Sequence, residues 1–213
     1  MTIKETGINA FKTCDLSILK NFEFNDCWNF LSTGSDAGGH VMLQYREEAE
    51  LIWNYAKKTT IIEDENTILE IGRYRAGSTL LLAAATHNLN VKIISVDIID
   101  GCRHCYTIAY DWLNNYEEKE RIDIRVENSW SMENESLSML FVDGDHSYDG
   151  IKKDIIHHWN YLKGYCLVDD YNEGHGVSVK SFIDEWIDKG YAEIVDQENM
   201  LVVLKKLKDY ENE

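Results

Sequence analysis

From residue 67 onward, short apolar runs of strand character alternate with stretches whose apolar residues recur every three or four positions. TILEI, VKIISVDI, RIDIRVE, LSMLFVD and YCLVD are of the first kind. STLLLAAATHN, CYTIAYDWLNNYEEK, IKKDIIHHWNYL and VSVKSFIDEWIDK are of the second. Cys105, Ala109, Trp112 and Tyr116 fall on one helical face, and Ile151, Ile155, Trp159 and Leu162 on another. Repeated strand–helix–strand units demand a parallel sheet with crossover helices on both of its faces. The last two runs, YAEIVDQ and NMLVVLKK, are separated only by a turn around Glu198–Asn199. So short a connection joins antiparallel strands.

The expected fold class is therefore α/β: a Rossmann-like, mostly parallel seven-stranded sheet with one antiparallel strand, helices on both faces and an N-terminal helical appendage. Residues 1 to about 40 show no clear period and include the loop STGSDAGGH. From Met42, the positions Met42, Tyr45, Ala49, Ile52 and Ala56 recur at helical spacing. This divides the chain into an N-terminal appendage and lid helix, 1–58, and a ligand-binding domain, 59–213.

The net charge of −17 in 213 residues argues against nucleic acid and anionic membrane surfaces as partners. No apolar run reaches membrane-spanning length, and MTIKETGINAF lacks the basic start and apolar stretch of a signal peptide. Five cysteines without a secretory context read as reduced thiols, so a cytoplasmic protein is expected. Cys102 and Cys105 form a single CxxC with no second ligand pair nearby, which is a weak zinc signature. Proline is absent, leaving the turns to Gly, Asn and Asp.

In an open sheet of this type, ligands bind beyond the carboxyl ends of the strands. The first strand ends in Glu70-Ile71-Gly72, and its helix begins near Gly77 and Ser78. Gly72 and Gly77 allow a close backbone approach, but the spacing is not GxGxxG. Glu70 in this turn would repel a pyrophosphate and accept from an ammonium group. Asp97, ending the next strand, is placed for the two hydroxyls of a ribose. A ligand with a ribose, a positive or amino-bearing group and no phosphate is implied, and S-adenosylmethionine meets that description. The competing interpretation is that the two glycines serve only tight strand–helix packing.

FVDGDHSYDG sets Asp143 at the end of one strand, and YCLVDDYN sets Asp169 and Asp170 at the end of another. Three carboxylates at one cleft edge oppose each other's ionisation. A hard divalent cation, Mg²⁺ or Mn²⁺, resolves that conflict. Asp143, Asp169 and Asp170 are the candidate metal ligands; the competing reading of Asp169–Asp170 is a helix-capping or solvated turn pair. His157 and His158 lie mid-helix and are expected to be structural or solvated. His87 ends a helix, and His175 follows the acidic pair on a loop.

EIGRYRAGST followed by SVDI, FVDGDHSYDGIKKDI and LVDDY resembles the class I S-adenosylmethionine-dependent methyltransferases. The likeness is greatest to the metal-dependent branch that holds the macrolide-sugar and aminocoumarin O-methyltransferases and the cephalosporin hydroxylase-like proteins. It covers about residues 40 to 190. Ala76 stands where the branch usually has Gly, and LKGYC where it has LKPGG.

The resemblance implies that Glu70, Gly72, Gly77, Ser78, Asp97 and Asp143 meet the cofactor and that Asn128 and Ser129 meet its adenine. It also implies Asp143, Asp169 and Asp170 as the metal ligands, and a general base two or three residues after the first of them, hence Asp145 or His146. The imidazole has the more suitable intrinsic pKa. The implied reaction is O-methylation of a small hydroxylated substrate, a sugar diol or a catechol-like ring, with glycosides among the candidates. The segment DAGGHVMLQY, with Gly38 and Gly39, would act as a lid. A nicotinamide-dependent oxidoreductase, or a metal- and nucleoside-binding protein without methyl transfer, are the rival readings; a homo-oligomer is left open.

Overall fold

The computed structural model describes residues 23–33, 44–59, 66–99, 113, 117–172, 174 and 177–211. Two helices, α1 (Phe24–Thr33) and α2 (Arg46–Thr59), precede β1 (Asn66–Ile71) and α3 (Gly77–Ala85). They are followed by β2 (Val91–Asp97), β3 (Ile122–Val126), β4 (Leu137–Val142) and α4 (Tyr148–Trp159). The chain closes with β5 (Leu162–Val168), α5 (Val177–Asp188), β6 (Ala192–Glu198) and β7 (Leu201–Lys206). The described strands form one sheet of order β3-β2-β1-β4-β5-β7-β6. β1 to β5 pair in parallel, whereas β7 runs antiparallel to both β5 and β6. All seven expected strands are present, and β7 is the reversed one.

β1 lies centrally and is buried along its whole length, as its unbroken apolar run requires. Alternation along the strands divides the core. Ile68, Ile93, Met139 and Phe141 face α1, α2 and α3, while Leu69, Val96, Leu140 and Val142 face α4 and α5. All nine residues of α3 are buried. A helix apolar on every side needs a second cover, which α1 and α2 supply by packing into the same core. Helix α1 was not anticipated, because residues 1 to about 40 read as irregular. Phe24, Cys27, Trp28 and Leu31 do recur at helical steps, but only over three turns.

Most of the helix expected over 105–119 lies outside the described residues; Leu113 is helical and buried, but 117–118 form a turn and Lys119–Arg121 a single 3₁₀ turn, so the expected α-helix does not reach 119. The lid glycines Gly38 and Gly39 lie outside the described residues, as do His175, Cys14, Cys102 and Cys105. Cys27 and Cys166 are free and buried. No described helix is long and apolar enough to cross a membrane.

The strand order reverses between β1 and β4, which makes their carboxyl ends the switch point of the sheet. There Gly72 has φ +90°, and a Cβ on it would stand 1.9 Å from the Asp143 carbonyl oxygen. Both the backbone sign and the contact exclude a side chain. Gly72→Ala should cost about 3 kcal/mol or more, read as a lower denaturation midpoint. A loss below about 1 kcal/mol would contradict this close approach.

Candidate functional site

A cavity of about 660 Å³ opens at the switch point. Ile71, Gly72 and Tyr74 line it from the β1 turn, Asp97 to Ile99 from β2, and Glu127 to Trp130 after β3. Asp143 to His146 line it after β4, with Gly150, Lys153 and Asp154 from α4. Of the residues expected at a cofactor, Gly72, Asp97, Asn128, Ser129 and Asp143 lie on its wall. Glu70, Gly77 and Ser78 do not.

Strand alternation explains Glu70. It shares a face with Ile68, so its side chain points toward α3, where it is fully buried. Thr79 Oγ1 and Ser95 Oγ each donate to its Oε2 at 2.5 Å. Burial pushes its pKa up, and the Ser78, Ser95 and Thr79 hydroxyls oppose that rise. The carboxyl thus ties α3 to the sheet instead of facing a ligand's ammonium group. Gly77 and Ser78 are buried in the first turn of α3.

The turn itself is anchored by a residue with no obvious sequence signal. Arg73 is buried, and its Nη1 donates to the carbonyls of Ser95 and Arg125 at 2.9 and 3.0 Å. Tyr74 and Ala76 then take left-handed backbone angles, φ 45° and 64°. In that conformation the Tyr74 N–H donates to Asp97 Oδ2 at 2.9 Å, and the Ile99 N–H donates to Oδ1 at the same distance. The Asp97 carboxylate is held at the cavity wall with lone pairs remaining on both oxygens.

Asp143, Asp169 and Asp170 are brought together, joined by two donors. Gln44 Nε2 lies 2.7 Å from both Asp143 Oδ2 and Asp169 Oδ2. His146 Nδ1 lies 2.6 Å from Asp170 Oδ2, with Nε2 3.5 Å from Asp143 Oδ1. Burial lifts Asp143 to about 7 and raises Asp169 as well. The His146 imidazole is held above its usual range by the Asp143 carboxylate and further by Asp170. Asp170 itself has φ 61°. Among the described residues, no three His, Cys, Asp or Glu side chains stand as a ready metal shell. The donors between the carboxylates are an amide and an imidazole. Gln44 went unnoticed in the sequence, having neither charge nor motif.

Asp145, exposed like His146, differs from it in its partner: its Oδ1 accepts from the Ser147 N–H at 2.9 Å, and that bond lowers its pKa. A Cβ on Gly150 would stand 2.4 Å from its Cγ, so Asp145 folds back over the start of α4.

Helix α4 also supports the far wall of the cavity. Ile151, Asp154, Ile155, His158 and Trp159 form its buried stripe. The Ser129 hydroxyl donates to Asp154 Oδ1, and His158 Nε2 lies 3.1 Å from the Ser129 carbonyl. His157 Nε2 lies 3.0 Å from the Met132 carbonyl. These histidines are structural, as expected from their mid-helix position. His87 faces Glu118 at 3.5 Å.

No protein-family model matches the chain, and no curated protein matches it. Solved structures do. A structure described as a putative caffeoyl-CoA O-methyltransferase from Staphylococcus aureus superposes with a TM-score of 0.63 at 15% identity, over 86% of this chain and 92% of that one. The S-adenosylhomocysteine-bound methyltransferase PaMTH1 of Podospora anserina gives 0.62 at 17% identity, over 87% and 88%. The O-methyltransferase TomG of Streptomyces achromogenes, in complex with S-adenosylmethionine, gives 0.60 at 15%, over 84% and 89%. The chain shares the fold of these structures.

The α4 contacts generate a pH prediction. Burial pushes His158 down to about 4 from 6.5, so the unfolded chain takes up that proton at higher pH. Its effect is a loss of stability as pH falls from 6.5 to 4. Burial lifts Asp154 to about 6 from 3.8, which acts oppositely: stability rises as pH falls from 6 to 3.8. The two offset each other in the parent protein. His158→Gln keeps a donor for Ser129 and removes only the first effect. Relative to the parent, it should gain about 3 kcal/mol between pH 7 and pH 4. Urea unfolding at both pH values measures this, and a constant difference would rule out a buried neutral imidazole.

Proposed function

We propose that the chain transfers a methyl group from S-adenosylmethionine to a hydroxyl of a small substrate bearing two neighbouring oxygens, such as a sugar diol or a catechol, with Mg²⁺ or Mn²⁺ at the acidic cluster. The observation that carries this reading is the continuity of one cavity from Asp97, at the end of β2, to Asp143 and His146, after β4. A nucleoside at one end then has its reactive group directed toward the carboxylates at the other. Two fold neighbours hold S-adenosylmethionine or S-adenosylhomocysteine, which supports the same cofactor here.

Asp97 would accept from the ribose hydroxyls while its backbone donors keep it in position. Asp143 and Asp169, with Asp170 beside them, suit a hard cation, since their oxygens already converge on the single Gln44 nitrogen. Such a cation, when bound, lowers the pKa of a substrate hydroxyl. His146 is the better proton acceptor. Asp170 orients its Nδ1, leaving Nε2 toward Asp143, whereas Asp145 is engaged by the start of α4. The remaining contribution of the protein is alignment of the hydroxyl with the methyl group.

Asp97→Ala should weaken S-adenosylhomocysteine binding by on the order of 1.5–3 kcal/mol, measured calorimetrically. Unchanged affinity in the folded variant would remove Asp97 from the site.

Mn²⁺ should bind the parent protein, and Asp143→Asn or Asp169→Asn should abolish that binding. With labelled S-adenosylmethionine and a panel of glycosides and catechols, EDTA should stop transfer. Undiminished transfer in chelator would exclude the cation. In the same assay His146→Ala should lose about 10²–10⁴-fold in turnover, with Asp145→Asn near the parent. The reverse pattern would make Asp145 the base.

A further inference from the structure

Asp154 is a carboxylate on the buried stripe of α4 that lines the cavity while only 5% exposed. One oxygen is engaged: the Ser129 hydroxyl donates to Oδ1. The other, Oδ2, takes no hydrogen bond among the described residues. The space beside it is kept by a glycine. A Cβ on Gly144 would stand 3.3 Å from Asp154 Oδ2 and 3.1 Å from the Ile71 side chain. His158, one turn further along α4, fixes the same Ser129 from its carbonyl side. The loop after β3 and the carboxylate are therefore locked together, with one acceptor left facing the cavity. That oxygen belongs to a side chain only 5% exposed that lines the cavity, so a ligand seated there can donate to it.

The surroundings suit a flat heteroaromatic ring. Ile98, Ile99 and Trp130 expose apolar surface on the same cavity wall. A ring held there would turn a polar edge toward Asp154 and Ser129. An amino group on that edge would satisfy Oδ2, whereas a ring carbonyl would set two acceptors against each other.

We infer that Asp154 is the specificity-determining residue for the nucleobase, accepting from the exocyclic amino group of adenine, and that Ser129 orients it for that contact. This rests on the nucleoside cofactor proposed above.

Calorimetric titration with S-adenosylhomocysteine and its 6-oxo counterpart, S-inosylhomocysteine, tests it. The parent protein should prefer the amino form by roughly 10- to 100-fold. Asp154→Asn should bind the two forms about equally, and Asp154→Ala serves if that variant does not fold. Asp97→Ala should weaken both forms alike and keep the preference. Equal binding of both forms by the parent, or a preference that survives at Asp154→Asn, would overturn the inference alone. Binding of neither form by the parent would overturn the cofactor reading and this inference with it.

Discussion

The contact between Gly72 and the backbone of Asp143 is the constraint on which the site depends. The Gly72 N–H donates to the Val96 carbonyl, and the Asp143 N–H donates to the Ile71 carbonyl. One residue without a side chain thus joins the ends of β1, β2 and β4 where the strand order reverses. The turn that follows must then descend steeply, and Tyr74 and Ala76 accept left-handed backbone angles. Such angles persist only where the surroundings enforce them. Here the buried Arg73 guanidinium does so from below, fastened to two strand carbonyls. The result is a Tyr74 N–H aimed at Asp97.

Charge is the second problem the fold has to handle. Asp143, Asp169 and Asp170 converge in a chain of net charge −17. Burial and mutual repulsion both disfavour their ionised forms. Gln44 and His146 supply donors between them, and Gln44 is held by its neighbours. Glu48, near the start of α2, accepts from the N–H groups of Tyr45 and Met200. That fastens the entry of α2 to the β6–β7 turn, close to the acidic cluster. The N-terminal helices therefore do two things: they cover α3 and deliver Gln44 to the carboxylates.

Much of this was legible in the sequence because period and punctuation are local properties. Strands β1 to β7, the reversed final pair and the amphipathic α4 and α5 follow from spacing alone. The acidic residues at strand ends followed from a topological rule applied to those strands. What was not legible depends on direction and on distant neighbours. Glu70 lies beside Gly72 in sequence, yet the pleat turns it toward α3. Arg73 carries no motif, yet it is buried and holds two strand carbonyls. Asp145 and His146 are adjacent in one motif, yet Asp145 folds back over the start of α4 while His146 reaches Asp143 and Asp170.

Helix α4 shows what a sharper use of the same periodicity would have found. Its stripe of Ile151, Ile155 and Trp159 was evident, but the positions between them at helical spacing are Asp154 and His158. Polar residues on a core-facing stripe are costly unless something hydrogen-bonds them. Their presence there marks a surface that is not only core. In this helix the stripe passes from the apolar interior to the cavity wall, where Asp154 stands, while His158 behind it holds the Ser129 carbonyl. The segment just before the helix carries His146 into the acidic cluster. A single element thereby borders the cavity both beside Ser129 and beside the acidic cluster. Its rotation about its own axis is fixed by Trp159, which is fully buried against Trp186 of α5. Aromatic packing remote from the cavity thus determines where the polar groups of α4 meet it.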